Sequence, residues 1–248
     1  MNLAGRKLVD FLQYSKSYSP VMHKLIITSF LAVTFTFILT AKPNASSISL
    51  EKGDVAVAVK VNGKLFTKYV YGDEKRAKPI LYPVIGPGGI PMTRRYPIEE
   101  AGPGEAKDHP HHASLWYTHG EVNGISFWHV GKNTGEIHHE KFLKLEGNQI
   151  ATRNKWVDSK GKIICRDERI LAFSAEGQDR AIDVTVKIIA DSGDVTFGDT
   201  KEGSMGIRSN PILRLRGPVA KGKAVNSEGV EGKAVWGKRA AWVSYWAP

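Results

Sequence analysis

From residue 48 onward, apolar and polar positions alternate in short runs. Val55, Val57, Val59 and Val61 are separated by Ala56, Ala58 and Lys60. A period of two sends one set of side chains to a buried face and the other to an open one. Asn62 and Gly63 follow at once, and then the run 64–70. Asn-Gly supplies the positive φ angles of a tight two-residue turn, so this text predicts a β-hairpin. Further strands are predicted at 80–85, 114–118, 125–130, 137–145, 150–157, 163–174, 182–190, 195–197, 212–215 and 234–245. Turn residues separate several of them, as at 158–161, 175–179 and 191–194. No amphipathic helix is legible after residue 45. Many short strands at this spacing predict an all-β sandwich or barrel, folded as one domain over 46–248.

Two stretches interrupt the pattern. Residues 86–107 and 217–233 are rich in Gly, Pro and charge and read as long loops, which in compact domains are functional or mobile. The Gly86, Pro87, Gly88, Gly89 run lacks the spacing and the strand–helix context of a nucleotide loop. At the other end of the chain, Leu25 to Ala41 is uncharged, preceded by Lys24 and followed by Ala45, Ser46 and Ser47. Positive, apolar and small residues in that order describe a secretory signal peptide at 22–45, starting at Met22. Residues 1–21 then form an upstream extension, and the mature protein is secreted or periplasmic. An uncleaved signal segment is the alternative and the sole expected link to a membrane.

Composition narrows the classes. With 42% hydrophobic and 24% charged residues, the chain is neither fibrous nor disordered. Part of the +10 formal charge belongs to residues 1–45, where five basic side chains face Asp10 alone. The remaining Lys and Arg are scattered rather than striped, so nucleic acid is not an expected partner. Cys165 is the single cysteine, which excludes an intrachain disulfide and any CxxC site.

Seven of the eight histidines fall between residues 109 and 139: His109, His111, His112, His119, His129, His138 and His139. Three readings compete for this cluster. In a sugar site, imidazoles and carboxylates bond hydroxyls, indoles offer flat apolar faces, and a histidine moves protons. That reading gives proton transfer to His111, His112, His119 and His138. It gives ligand contact to Asp108, His109, Trp116, Asn123, Trp128, Arg94, Arg95 and Arg208. A carbohydrate or other small molecule is then the partner, no cofactor is needed, and any catalysis is acid–base chemistry of epimerase, lyase or hydrolase type. In a metal site, His109, His111, Glu136 and His138 hold a divalent ion and the protein is an oxidoreductase. In the third reading these histidines are ordinary core or strand-surface residues.

The residues just named also carry a resemblance. Asp108 to His112, followed by Ser114 to Trp116, His119-Gly120, Val122 to Gly124 and Phe127-Trp128, resembles a bacterial family of exported proteins labelled methane oxygenase PmoA. Asp199 to Met205, Gly206 to Arg208, Asn226 to Gly229 and Trp236 to Ala240 resemble the same family, so the likeness runs over about 48–243. The resemblance implies a large antiparallel β-sandwich of the galactose-mutarotase-like supersandwich kind and carbohydrate chemistry. The family label itself implies a multi-span membrane protein, and nothing after Ala41 here could span a bilayer. Ala113 stands where the family has Arg, and Asn210-Pro211 where it has His-Pro. The familiar text stops after Val243, so the chain is expected to be C-terminally truncated and to lack a late carboxylate base. A non-catalytic carbohydrate-binding module is therefore a third functional class. Truncation would also leave Trp236, Trp242, Tyr245 and Trp246 on an unpaired apolar edge.

Overall fold

The computed structural model describes residues 46–73 and 75–248; the expected signal peptide at 22–45 and the extension before it lie outside the described residues. In chain order the strands are β1 (Ile48–Lys52), β2 (Ala56–Val61), β3 (Lys64–Val70), β4 (Ile80–Leu81), β5 (Leu115–Tyr117), β6 (Glu136–Glu146), β7 (Gln149–Val157), β8 (Ile163–Glu176), β9 (Asp179–Ile189), β10 (Met205–Ile207), β11 (Lys223–Asn226) and β12 (Val243–Trp246). The fold is all-β, and every strand pairing is antiparallel. One sheet has the order β1-β2-β3-β4-β5-β10, a second β6-β7-β8-β9, and β11 pairs with β12 as a separate ribbon. Among the described residues no helix is long and apolar enough to cross a membrane.

The two large sheets face each other. Val57, Val59 and Val61 of β2, Phe66 and Tyr69 of β3 and Leu81 of β4 share one buried cluster with Ile150 of β7 and Leu171 and Phe173 of β8. That arrangement makes the pair a sandwich. The valines alternate as the sequence pattern requires, and each buried side chain of this size contributes about 1.5–3 kcal/mol. The Asn62-Gly63 turn is present, with φ of 50° and 76°.

Period two also decides what lies outside. Tyr69 pairs with Leu81 and Leu81 with Leu115, so these residues point into the sandwich. Ile80, Trp116 and Gly206 are cross-strand neighbours of the opposite parity. Ile80 and Trp116 form a further cluster with Tyr82, Ala113 and Trp128 on the outer face of the six-stranded sheet. A third cluster, around Val122, Phe127, Ile137 and Trp156, fills the end of the sandwich.

Several predicted strands are absent or shortened. The run 80–85 keeps only β4, because Pro83 has no N–H to continue the ladder. The run 125–130 is a loop in which Phe127 and Trp128 enter different clusters. At 195–197 only an isolated bridge from Phe197 to Val122 remains. At 212–215 a 3-10 turn stands instead: Asn210 accepts from the Ile212 N–H and Pro211 opens the turn. The strand expected over 234–245 reduces to β12, preceded by a 3-10 turn at Gly232–Val235. Trp236 is 87% exposed, and Trp242, Tyr245 and Trp246 are exposed as well. β10 and β11 were not anticipated; both are too short to show a period.

Candidate functional site

The loop 107–114 is fixed to the outer face of the six-stranded sheet by one arginine. Arg94 is buried and all five of its N–H groups are engaged. Nε donates to the Tyr96 carbonyl at 2.8 Å. One terminal nitrogen donates to the carbonyl of Ala106 at 3.0 Å and to Asp108 Oδ1 at 2.8 Å. The other donates to the carbonyls of Asp108 and His109 at 2.7 and 3.0 Å. His109 (φ 46°) and Ser114 (φ 60°) sit in the left-handed region, which costs an L-residue about 1–2 kcal/mol. The carbonyl bonds from Arg94 and the Ser114 hydroxyl, which donates to the Leu81 carbonyl at 2.6 Å, hold those conformations. Arg94 was expected to touch ligand; with every donor taken, it is the scaffold of the loop instead.

Asp108 is the electrostatic centre. Its Oδ1 also accepts from Arg208 at 2.8 Å, and its Oδ2 lies 2.9 Å from His109 Nδ1. Partial burial pushes this carboxyl up, but the hydrogen bonds from Arg94 and His109 and the charge of Arg208 hold it well below the usual carboxylate range. An ionised Asp108 takes a proton-bearing Nδ1 from His109, leaving His109 Nε2 outward of the pair. Arg208 also reaches His112 Nδ1 at 3.4 Å. A guanidinium only donates, so in that contact His112 carries its proton on Nε2.

The rings stack on one another. His109 lies parallel to His112 at 4.8 Å, and His112 lies parallel to Trp116 at 5.4 Å. His111 meets His112 edge-on at 4.5 Å and His129 at 4.9 Å, while Trp128 closes on His112 at 5.5 Å. Trp116 lies so close to Gly206 that any side chain there would strike the indole. Both tryptophans are buried. They were expected as open faces for a sugar ring, and their burial corrects that: they are the platform under the imidazoles. Burial, and then the neighbouring imidazoles and cations, pull His112 down to about 3 and His111 down to about 4. At neutral pH both are uncharged.

The other expected residues lie elsewhere. His119 points toward Phe197; its Nε2 donates to the Gly198 carbonyl and its Nδ1 accepts from Ser204, both at 2.9 Å, so neither nitrogen is left for a ligand. Asn123 holds a turn, donating to the Asp194 carbonyl and accepting from the Thr196 N–H. Arg95 is exposed and pairs with Glu99. His138 and Glu136 pair with each other at 3.0 Å on β6. The proposed metal set is thus split between loop 107–114 and β6. Among the described residues no three His, Cys, Asp or Glu side chains are grouped to hold one ion. His139 is packed among Tyr69, Tyr71 and Phe142, and burial pulls it down to about 4.

Two residues of this region were given no individual role by the sequence reading. His129 joins the cluster through His111 and bonds Ser126 Oγ at 3.0 Å. Lys78 is buried, donating to the carbonyls of Trp128 at 2.9 Å and Phe127 at 3.4 Å. It borders a cleft of about 430 Å³ that reaches Pro110, His111 and Ala113. Its position just before the strand residues Ile80 and Leu81, among apolar neighbours, is the sole sequence signal.

Residues 56–248 match a family described as of unknown function, DUF6807. The chain belongs to the DUF6807 family. That match begins at β2 and includes the whole histidine loop, its arginine scaffold and, apart from β1, both sheets. No curated protein and no solved structure matches this DUF6807 chain.

Proposed function

We propose that the histidine loop of this DUF6807 protein is a carbohydrate site, carried by an exported β-sandwich. The observation that carries the reading is the gathering of His109, His111, His112 and His129 with the Asp108–Arg208 pair, over Trp116 and Trp128, beside an open cleft. A neutral imidazole offers one donor and one acceptor, which matches the hydroxyls of a sugar ring. Histidines that stay neutral down to about pH 3–4 serve as hydrogen-bond partners at pH 7 rather than as acids. The chemistry therefore supports recognition first, with proton transfer a further step for the same loop. Kinship to the PmoA-labelled exported proteins and to the galactose-mutarotase-like supersandwich belongs to this proposal, supported by the motif text and the two-sheet architecture.

Titration calorimetry of the protein with a panel of mono- and oligosaccharides tests the reading. His112→Ala is expected to weaken the binding at least tenfold, about 1.4 kcal/mol. Metal-free protein that binds no sugar would remove the proposal, and stoichiometric metal lost in the same variant would favour the metal reading.

A further inference from the structure

The cleft beside the histidine loop has a basic wall. Its lining includes Lys75, Arg76, Lys78 and His111 and, among the described residues, no carboxylate. A second cleft of about 250 Å³ lies against the same chain segment and is again lined by Arg76 and Lys78, with Asp73, His138 and His139. Arg76 is held by Asp73 at 3.0 Å. Lys78, only 4% exposed, has two carbonyl oxygens as its partners and, among the described residues, no carboxylate in ion-pair contact. A buried ammonium compensated by carbonyl dipoles alone is poorly solvated, and burial pulls it down to about 8. The groups around it are Lys75, Arg76 and His111 on one side and Asp73, His138 and His139 on the other. An anion entering the larger cleft would supply the missing countercharge.

We propose that this cleft receives an anionic group of the ligand, so that the carbohydrate taken by the histidine loop is an acidic sugar bearing a carboxylate or a sulfate ester. The sugar part rests on the carbohydrate reading above; the charge part rests on the basic wall alone. Binding of the anion and protonation of Lys78 reinforce each other, since each stabilises the charge of the other.

The test is titration calorimetry of the full chain at pH 7 with D-galacturonate, D-galactose 6-sulfate, D-galactose and sodium sulfate. The same titrations use Lys78→Met and Lys75→Gln, the second at an exposed position. Either acidic sugar should bind at least tenfold more tightly than galactose, and the tighter one identifies the group. Lys78→Met should remove that advantage and Lys75→Gln should reduce it two- to threefold. The advantage should also fade between pH 7 and 9 as Lys78 loses its proton. Equal affinity for acidic and neutral sugars, or an undiminished advantage in folded Lys78→Met, overturns the inference. Should sulfate bind in a Lys78-dependent manner while no sugar binds, the charge proposal stands and the carbohydrate reading falls. Galactose binding that depends on His112, with no gain from an acidic group, leaves the carbohydrate reading and removes this one. If none of the four ligands binds, both fall.

Discussion

Two aspartate–arginine networks occupy opposite faces of the same sheet system, and they differ in what they leave unfinished. Inside the sandwich, Asp167 accepts from Asn154 Nδ2 at 2.8 Å, from Trp156 Nε1 at 2.7 Å and from Arg169 at 3.0 Å. Tyr69 bonds Asn154, and burial pushes its phenol up to about 12. That network is sealed: the Asp167 side chain is 0% exposed. On the outer face Asp108 also gathers three donors, but its side chain is 43% exposed and its partners include Arg208 and His109 at the edge of a cleft. A closed network specifies the packing of two sheets, whereas one open at its rim holds groups in place for something not yet bound.

The largest effect should come from the closed network. Asp167→Ala leaves Arg169 as an uncompensated buried cation and should cost about 3–5 kcal/mol, read by chemical denaturation. A loss below about 1 kcal/mol would mean that the interior is more hydrated than its geometry implies. Next is Arg94→Ala, which leaves four carbonyls without their donor and takes one of its three donors from Asp108. About 2–3 kcal/mol should be lost, and sugar binding with it. Asp108→Asn sharpens the contrast: at an exposed carboxylate the stability change should stay near or below about 1 kcal/mol. Calorimetric affinity for sugar should nevertheless fall at least tenfold, because Arg208 and His109 lose their anchor. If Asp108→Asn costs as much stability as Asp167→Ala, the distinction between the two networks fails.

Acid should act mainly through half-buried histidines. His111, His112 and His139 are depressed in the fold, by burial above all. As pH falls below about 6.5, the unfolded chain takes up protons that the folded one refuses. Stability is therefore lost through the window from about 6.5 to about 3, and the thermal midpoint should fall over it. His139→Phe should flatten that fall without touching ligand affinity, since His139 lies among Tyr69, Tyr71 and Phe142, away from the loop. An unchanged pH profile in that variant would remove His139 from the account.

Much of the sandwich was legible because period two is a strong signal in long strands. β2 and β3, with the Asn62-Gly63 turn, and β6 to β9 lie where alternation puts them. The same alternation puts Asp167 and Arg169 on the face of Leu171 and Phe173, a buried ion pair written in the text of β8. Strands of two to four residues carry no period, and β4, β10 and β11 depend on partners far away in the chain. The histidine cluster was visible as composition, but its membership was not. His119 and His138 differ from His111 and His112 only through contacts with distant Gly198 and Ser204 or with neighbouring Glu136. Trp116 and Trp128 read as stacking faces because exposure is not written locally; burial came from Gly206 and from the loop folding over them. Lys78 became conspicuous only when the carbonyls of Phe127 and Trp128 closed around it.

The central claim is that the rings over Trp116, and not the other histidines, meet a carbohydrate. Histidine-selective NMR of the protein, titrated with the sugar that binds most tightly in calorimetry, reads each imidazole separately. The account predicts that the resonances of His109, His111, His112 and His129 shift together and saturably, while those of His119, His138 and His139 stay in place. Shifts confined to His119, His138 or His139, or no shift in the loop histidines at saturation, would contradict it.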